Sequence, residues 1–178
     1  PSKIAQSHGH KAALVCTAFE QTKSHLNLLS RSLCTGFPAS PRFEDLHRAT
    51  PATGRCACPE LSLNGRTRKK QLVVLGGVGG SKALNKVVPG ALRQLGPIVD
   101  DWQIIHQTGE RQLQETERKY QKAKLDVLAV TTIDELASIV FDSDLVLCRA
   151  GGTTLAELAL AQVPALLHYQ GLLTDAEG

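Results

Sequence analysis

Two stretches of this 178-residue chain set glycines beside hydroxyl, basic or acidic residues at spacings suited to holding an anion. The first is Gly76-Gly77-Val78-Gly79-Gly80-Ser81-Lys82. The second is Cys148-Arg149-Ala150-Gly151-Gly152-Thr153-Thr154-Leu155-Ala156-Glu157. Each follows an apolar run and precedes a helical pattern. Glycines at such a junction let backbone N–H groups approach a phosphate, and the helix N-terminus adds a favourable field. A dinucleotide fingerprint does not fit the first loop. Gly77 and Gly79 match it, but Lys82 stands at the third glycine position, and the next strand ends in His106 rather than an acid. A Walker A loop fails too, because Ser81-Lys82-Ala83 lacks both the glycine and the magnesium-binding hydroxyl. A generic phosphate or sugar-phosphate loop and a simple tight turn both remain.

The second loop also has two readings. Gly151 and Gly152 would let a diphosphate reach the N–H groups of Thr153 and Thr154, with Glu157 accepting from ribose hydroxyls. Alternatively, Thr154-Leu-Ala-Glu157 is a capping box that closes a helix start. A second such box is Thr132…Glu135, where Ile133 serves either as core or as backbone offered to a flat base, and Asp134 as an N-terminal helix charge. His106 reads as a structural histidine more readily than as a general base. Cys56-Ala-Cys58 lacks zinc-site spacing and a second pair, so these read as linker cysteines. His8 and His10 read as solvated. No nucleophile elbow or Ser-His-Asp pattern occurs.

Composition narrows the class. With 42% hydrophobic and 21% charged residues, the chain can build a packed core. No apolar run approaches the ~18 residues of a membrane span. Aromatics at 4% argue against a nucleic-acid reader built on stacking. Five cysteines, an odd number, argue against a disulfide scaffold and for reduced, intracellular thiols. The polar start, Pro1 to His10, is no signal peptide. The chain begins without Met and contains none, so it reads as a fragment. Residues 1–70 carry 11 Lys and Arg against 4 Asp and Glu, whereas residues 71–178 carry 9 against 13. That asymmetry marks a boundary. The closing run Arg66, Arg68, Lys69, Lys70 is either a solvated linker or an attraction to phosphate or an anionic membrane surface.

The elements that must position these loops follow from periodicity. Residues 11–18 read as a short buried strand and Glu20 to Leu29 as helical. Prolines and glycines punctuate Gly36 to Asn64, which reads as an irregular linker. Beyond Lys70 the pattern is regular. Strands are expected over Gln71–Leu75, Trp102–His106, Leu125–Val130, Asp144–Cys148 and Val163–His168. Helices fall between them, over residues 83–95, Glu110–Lys124, Asp134–Phe141 and Thr154–Ala161, and Pro89 should kink or restart the first. Continuously apolar strands alternating with helices predict an α/β fold, a Rossmann-like parallel sheet with helices on both faces. Ligands of such sheets bind beyond the carboxyl ends of the strands.

Taken in order, several segments resemble one family. They are Leu75 to Asn85, Trp102 to Gly109, Ile133 to Leu136, Asp144 to Glu157 and Val163-Pro-Ala165. Together they look like the C-terminal half of the MurG family of peptidoglycan glycosyltransferases, glycosyltransferase family 28. The likeness is strong over residues 71–166. It extends faintly to Ala18-Phe-Glu-Gln-Thr22 and Thr35-Gly-Phe-Pro38.

The resemblance implies the donor half of a two-domain GT-B enzyme. Such an enzyme moves N-acetylglucosamine from UDP-N-acetylglucosamine onto a lipid-linked muramyl-pentapeptide for peptidoglycan synthesis. It implies residues 1–40 as a remnant of the acceptor-side domain, 41–70 as a basic, irregular linker, and 71–178 as a truncated UDP-sugar-binding domain. The implied donor contacts are Gly77, Val78, Gly79 and Gly80 in the glycine loop and Ile133 for uracil. Gly151, Gly152, Thr153, Thr154, Leu155 and Ala156 would hold diphosphate and sugar, and Glu157 the ribose. No catalytic residue, metal or cofactor is expected in this chain. The acceptor would bind through the missing N-terminal domain, at the cytoplasmic face of the cell membrane, with the enzyme held peripherally. Nucleic acid is not an expected partner.

Three positions depart from the family pattern. Val78 replaces a donor-contacting Ser. Ser40 stands where the family has a phosphate-binding Arg, with Arg42 as a stand-in. The tail from His168 onward does not match the family's Asp-His-Gln segment. Val78 and the altered tail favour an alternative, a non-catalytic or degenerate nucleotide-sugar-binding remnant.

Overall fold

The computed structural model describes residues 11–26, 31–49 and 69–168. The stretches carrying His8 and His10, Cys56-Ala-Cys58, Arg66 and Arg68, and the divergent tail beyond His168 lie outside the described residues. The chain divides into two units, Pro1–Ala39 and Ser40–Gly178.

In the first unit, strands β1 (Leu14–Thr17) and β2 (Arg31–Cys34) pair in parallel, with Leu14 opposite Arg31 and Thr17 opposite Cys34. Phe19 and Phe37 meet edge to face at 5.8 Å. The expected strand over 11–18 is present, but its Leu14 is half exposed rather than buried. The expected helix from Glu20 is a 3-10 helix, Glu20–His25.

The second unit opens with helix α1 (Pro41–Ala49), which corrects the expectation of an irregular linker from residue 41. Proline punctuates loops, yet its fixed φ and missing N–H also suit the first position of a helix. The Ser40 carbonyl accepts from the amides of Phe43 and Glu44. Phe43 then anchors the helix, 2% exposed and 6.0 Å from the Phe141 ring.

The remaining elements are β3 (Lys70–Leu75), α2 (Lys82–Gln94), β4 (Trp102–Gln107), α3 (Leu113–Ala123), β5 (Leu128–Val130), α4 (Leu136–Phe141), β6 (Leu145–Arg149), α5 (Gly152–Ala161) and β7 (Ala165–His168). The five strands β3 to β7 form one parallel sheet in the order β5-β4-β3-β6-β7. Alternation along β3 separates two cores. Val73 and Leu75 pack with Phe43, Val140, Phe141, Val146 and Leu158. Leu72 and Val74 pack with Leu84, Val88, Leu92, Ile104 and Tyr120 on the other face. Each fully buried side chain of this kind contributes about 1.5–3 kcal/mol, which is why these strands read as continuous apolar runs.

Pro89 does not restart the helix; α2 runs through it. The N–H that proline lacks would have bonded the Asn85 carbonyl four residues earlier. Lys119 Nζ lies 3.5 Å from that carbonyl and takes the vacated place. Strand β5 starts later than expected because Lys124, in the left-handed conformation, terminates α3, and Leu125 and Val127 pack into the core instead.

Candidate active site

The order of strands reverses between β3 and β6. The chain builds outward from β3 through β4 to β5, then returns to add β6 and β7 on the opposite side. Ligands of open α/β sheets bind at such a reversal. Residues Leu75 and Cys148 are register partners there, so the two glycine loops leave the sheet side by side.

Between them lies a cleft of about 340 Å³. The end of β3 contributes Leu75 and Gly77, and β4 contributes Gln107. Cys148, Arg149 and Ala150 come from β6 and its exit, and Gly151, Thr154 and Glu157 from α5. Leu136 of α4 and His168 of β7 complete the wall.

Helix α5 begins at Gly152 with Gly151 as its N-cap, two residues earlier than expected. That placement removes the capping-box reading of Thr154 and Glu157, because Thr154 already lies inside the first turn. At this end the Leu155 N–H donates to the Gly151 carbonyl at 2.9 Å. The amides of Gly152, Thr153 and Thr154 precede it and carry the positive end of the helix field. The other expected box also does not form: Glu135 is the N-cap of α4 and no side chain caps it.

Glu157 is half buried. Burial raises its carboxyl above the usual range, and a hydrogen bond from the Ser40 backbone partly offsets that. Arg149 reaches across toward Gly77. A Cβ at Gly77 would lie 3.3 Å from its guanidinium, and Gly77 has φ +79°, so glycine suits the position twice over. Cys148 faces the cleft as a neutral thiol, its pKa pushed up to about 11 by burial.

The glycines of the first loop divide by role. At Gly80, φ is +75° and a Cβ would strike the Thr108 carbonyl; Gly109 backs directly onto Gly80. Gly76 is closed in by the Gln107 carbonyl. These positions let two loops pack backbone on backbone. Asn85 fixes the same junction, its amide nitrogen 2.9 Å from the Thr108 carbonyl and 3.0 Å from Gln112 Oε1. Gly79 has open space around it.

Of the expected contacts, Gly77, Gly151, Thr154 and Glu157 line the cleft together. Gly79, Gly80, Gly152, Thr153, Leu155 and Ala156 are not among its lining residues, though they belong to the same two segments of chain. Val78 points away, 81% exposed. Ile133 packs partly buried against the core beside α4. Arg42, the proposed stand-in for a phosphate-binding Arg, pairs instead with Glu135 at 3.5 Å. His106 is fully buried, 2.6 Å from the Tyr120 hydroxyl through Nδ1, with a pKa lowered to about 4 by burial. It is a structural residue. Sequence reasoning missed Gln107, Leu136, Arg149 and His168 as cleft residues. Position at a strand exit was the available signal for Gln107, Arg149 and His168.

The model of the glycosyltransferase family 28 C-terminal domain matches residues 71–168. A UDP-N-acetylglucosamine–N-acetylmuramyl-(pentapeptide) pyrophosphoryl-undecaprenol N-acetylglucosamine transferase from Nitrosospira multiformis is 38% identical over 131 residues, covering 74% of this chain and 34% of that relative. The equivalently named transferase of Azotobacter vinelandii is 34% identical over 144 residues, covering 78% of this chain and 39% of the relative. The crystal structure of Acinetobacter baumannii MurG superposes with a TM-score of 0.59 at 28% identity, covering 92% of this chain and 41% of that one. The chain therefore spans roughly a third of the length of the curated relatives it matches. On the family match, the sheet order and the cleft at the sheet's reversal, this chain belongs to the glycosyltransferase family 28 C-terminal domain family.

Proposed function

We propose that this chain is the donor-binding half of a transferase that moves N-acetylglucosamine from UDP-N-acetylglucosamine onto a lipid-linked muramyl-pentapeptide. The observation that carries the reading is the pairing of β3 with β6, which sets two glycine-broken strand exits at one cleft. The names of the relatives supply the substrate pair.

In this reading Glu157 accepts from the ribose hydroxyls, and the backbone of Ile133 meets the uracil. The amides of Gly152, Thr153 and Thr154, with those of Gly77 and Gly79, face the diphosphate; Gly80, whose N–H is held by the Gly77 carbonyl, shapes the loop beside it. Leu155 and Ala156 continue that wall. Sugar transfer is direct displacement at the anomeric carbon: the acceptor oxygen bonds to it as the bond to the β-phosphate oxygen breaks. The negative charge developing on UDP is met by helix-terminus N–H groups, the electrostatic stabilisation that such preorganised donors provide. A base on the acceptor-side domain takes the acceptor proton. That domain also presents the lipid-linked acceptor, at the cytoplasmic face of the membrane and in peripheral attachment to it.

The test is calorimetric titration of the 178-residue chain with UDP-N-acetylglucosamine. Saturable binding that is lost in Glu157→Ala supports the donor site. No binding at millimolar ligand by the folded chain overturns it in favour of a degenerate remnant. The chain alone is expected to show no sugar transfer, since the base lies elsewhere.

A further inference from the structure

We propose that His168 is a second basic ligand, beside Arg149, for the diphosphate of the nucleotide sugar, and that its protonation strengthens donor binding. The inference rests on the donor-site reading above.

Three strand exits stand in a row at the cleft: β3 ending near Gly77, β6 at Arg149 and β7 at His168. Arg149 and His168 are register partners in the parallel pair β6–β7, so their side chains leave the same face of the sheet. Adjacent parallel strands lie about 4.8 Å apart, and the Arg149 guanidinium leans toward Gly77 on the β3 side, so a ligand meets both side chains by spanning the exits of β3, β6 and β7, as an extended diphosphate can. Both residues line the same cleft. The Ala150 N–H donates to the His168 carbonyl at 3.2 Å, which ties the end of β7 to the loop that starts α5. His168 is therefore held by backbone bonding next to the free amides of that helix.

The chemistry of the neighbours selects the ligand. Arg149 supplies a permanent positive charge and the α5 N-terminus a partial one. An anion spanning Arg149 and the helix start offers an imidazolium at His168 a partner of opposite charge. The charged groups at the cleft that face His168 are Arg149 on β6 and Glu157 on α5. If Glu157 is engaged with ribose and Arg149 with one phosphate, the imidazolium is left to serve the remaining phosphate oxygens through a charge-assisted hydrogen bond.

The experiment measures UDP-N-acetylglucosamine affinity by calorimetry at pH 6 and pH 8, a range over which imidazoles change charge and the diphosphate diester does not. The expected result is about fivefold tighter binding at pH 6 in the unmodified chain. His168→Gln should bind weakly and equally at both values, and His168→Arg tightly and equally at both. Circular dichroism confirms that each variant is folded. Equal affinity of the unmodified chain and His168→Gln at both pH values overturns the proposal and leaves the donor site standing. A pH response that persists in His168→Arg overturns it as well. Absence of any binding by the folded, unmodified chain overturns both readings together.

Discussion

The backbone N–H of Ser40 donates to the carboxylate of Glu157, joining the residue before α1 to the second turn of α5. Burial outweighs this bond, so the carboxyl titrates above its usual range. A raised carboxylate pKa means that the folded state binds the proton more tightly than the unfolded state. The associated stability is present at low pH and is lost as pH rises through the folded value. Glu157→Gln keeps an acceptor for Ser40 and removes the buried charge. It should melt above the unmodified chain at pH 7, with the difference closing as pH falls below the usual carboxylate range. A thermal melt series across pH checks this.

His106 carries the opposite sign. Its folded pKa, about 4, lies below the ordinary 6.5, so it opposes folding once the solution is acidic enough to protonate it in the unfolded chain. Its contribution is intact above pH 6.5 and is lost as pH falls from there toward 4. The full loss is about 3 kcal/mol. A double variant, His106→Leu with Tyr120→Phe, removes the titrating ring and its hydroxyl partner together. As pH falls across this window, urea midpoints should fall more steeply in the unmodified chain than in that variant.

Glycine-to-alanine changes should separate by position. Gly80→Ala meets the Thr108 carbonyl at a positive φ, so it must shift the loop and should cost on the order of 1–3 kcal/mol. Gly79→Ala meets nothing within 4 Å and should leave the melting temperature near its starting value. Its effect, if the donor reading holds, falls on nucleotide affinity alone. Paired melts and titrations read the two quantities separately.

Phe43→Ala tests whether α1 belongs to the second unit. Phe43 sits in one core with Phe141, Val140 and Leu158. Truncating a buried phenylalanine costs about 3–5 kcal/mol, and chemical denaturation should show a loss of that size. A loss under 1 kcal/mol would detach α1 from the fold.

Much of the sheet was legible because apolar runs such as Gln71–Leu75 are buried on both faces. The cleft was legible because glycines mark strand exits. What stayed hidden depended on contacts distant in sequence. Pro41 signals a helix start only once Phe43 has a partner at Phe141, almost a hundred residues on. Pro89 sits inside a helix because Lys119 covers the carbonyl it orphans. Thr154 and Glu157 fit a capping box by spacing, but the helix starts two residues earlier, where glycine needs no side-chain cap. Arg149 and His168 come together through strand pairing alone.

Strands β3 and β6 share only four register pairs, from Leu72 with Leu145 to Leu75 with Cys148. That seam joins the two windings of the chain, β3–β5 and β6–β7, into one sheet. A molecule gripping both exits would act as a cross-brace over the seam. Its occupancy should therefore register first as slowed amide exchange along these two strands, well before the outer margins of the sheet respond.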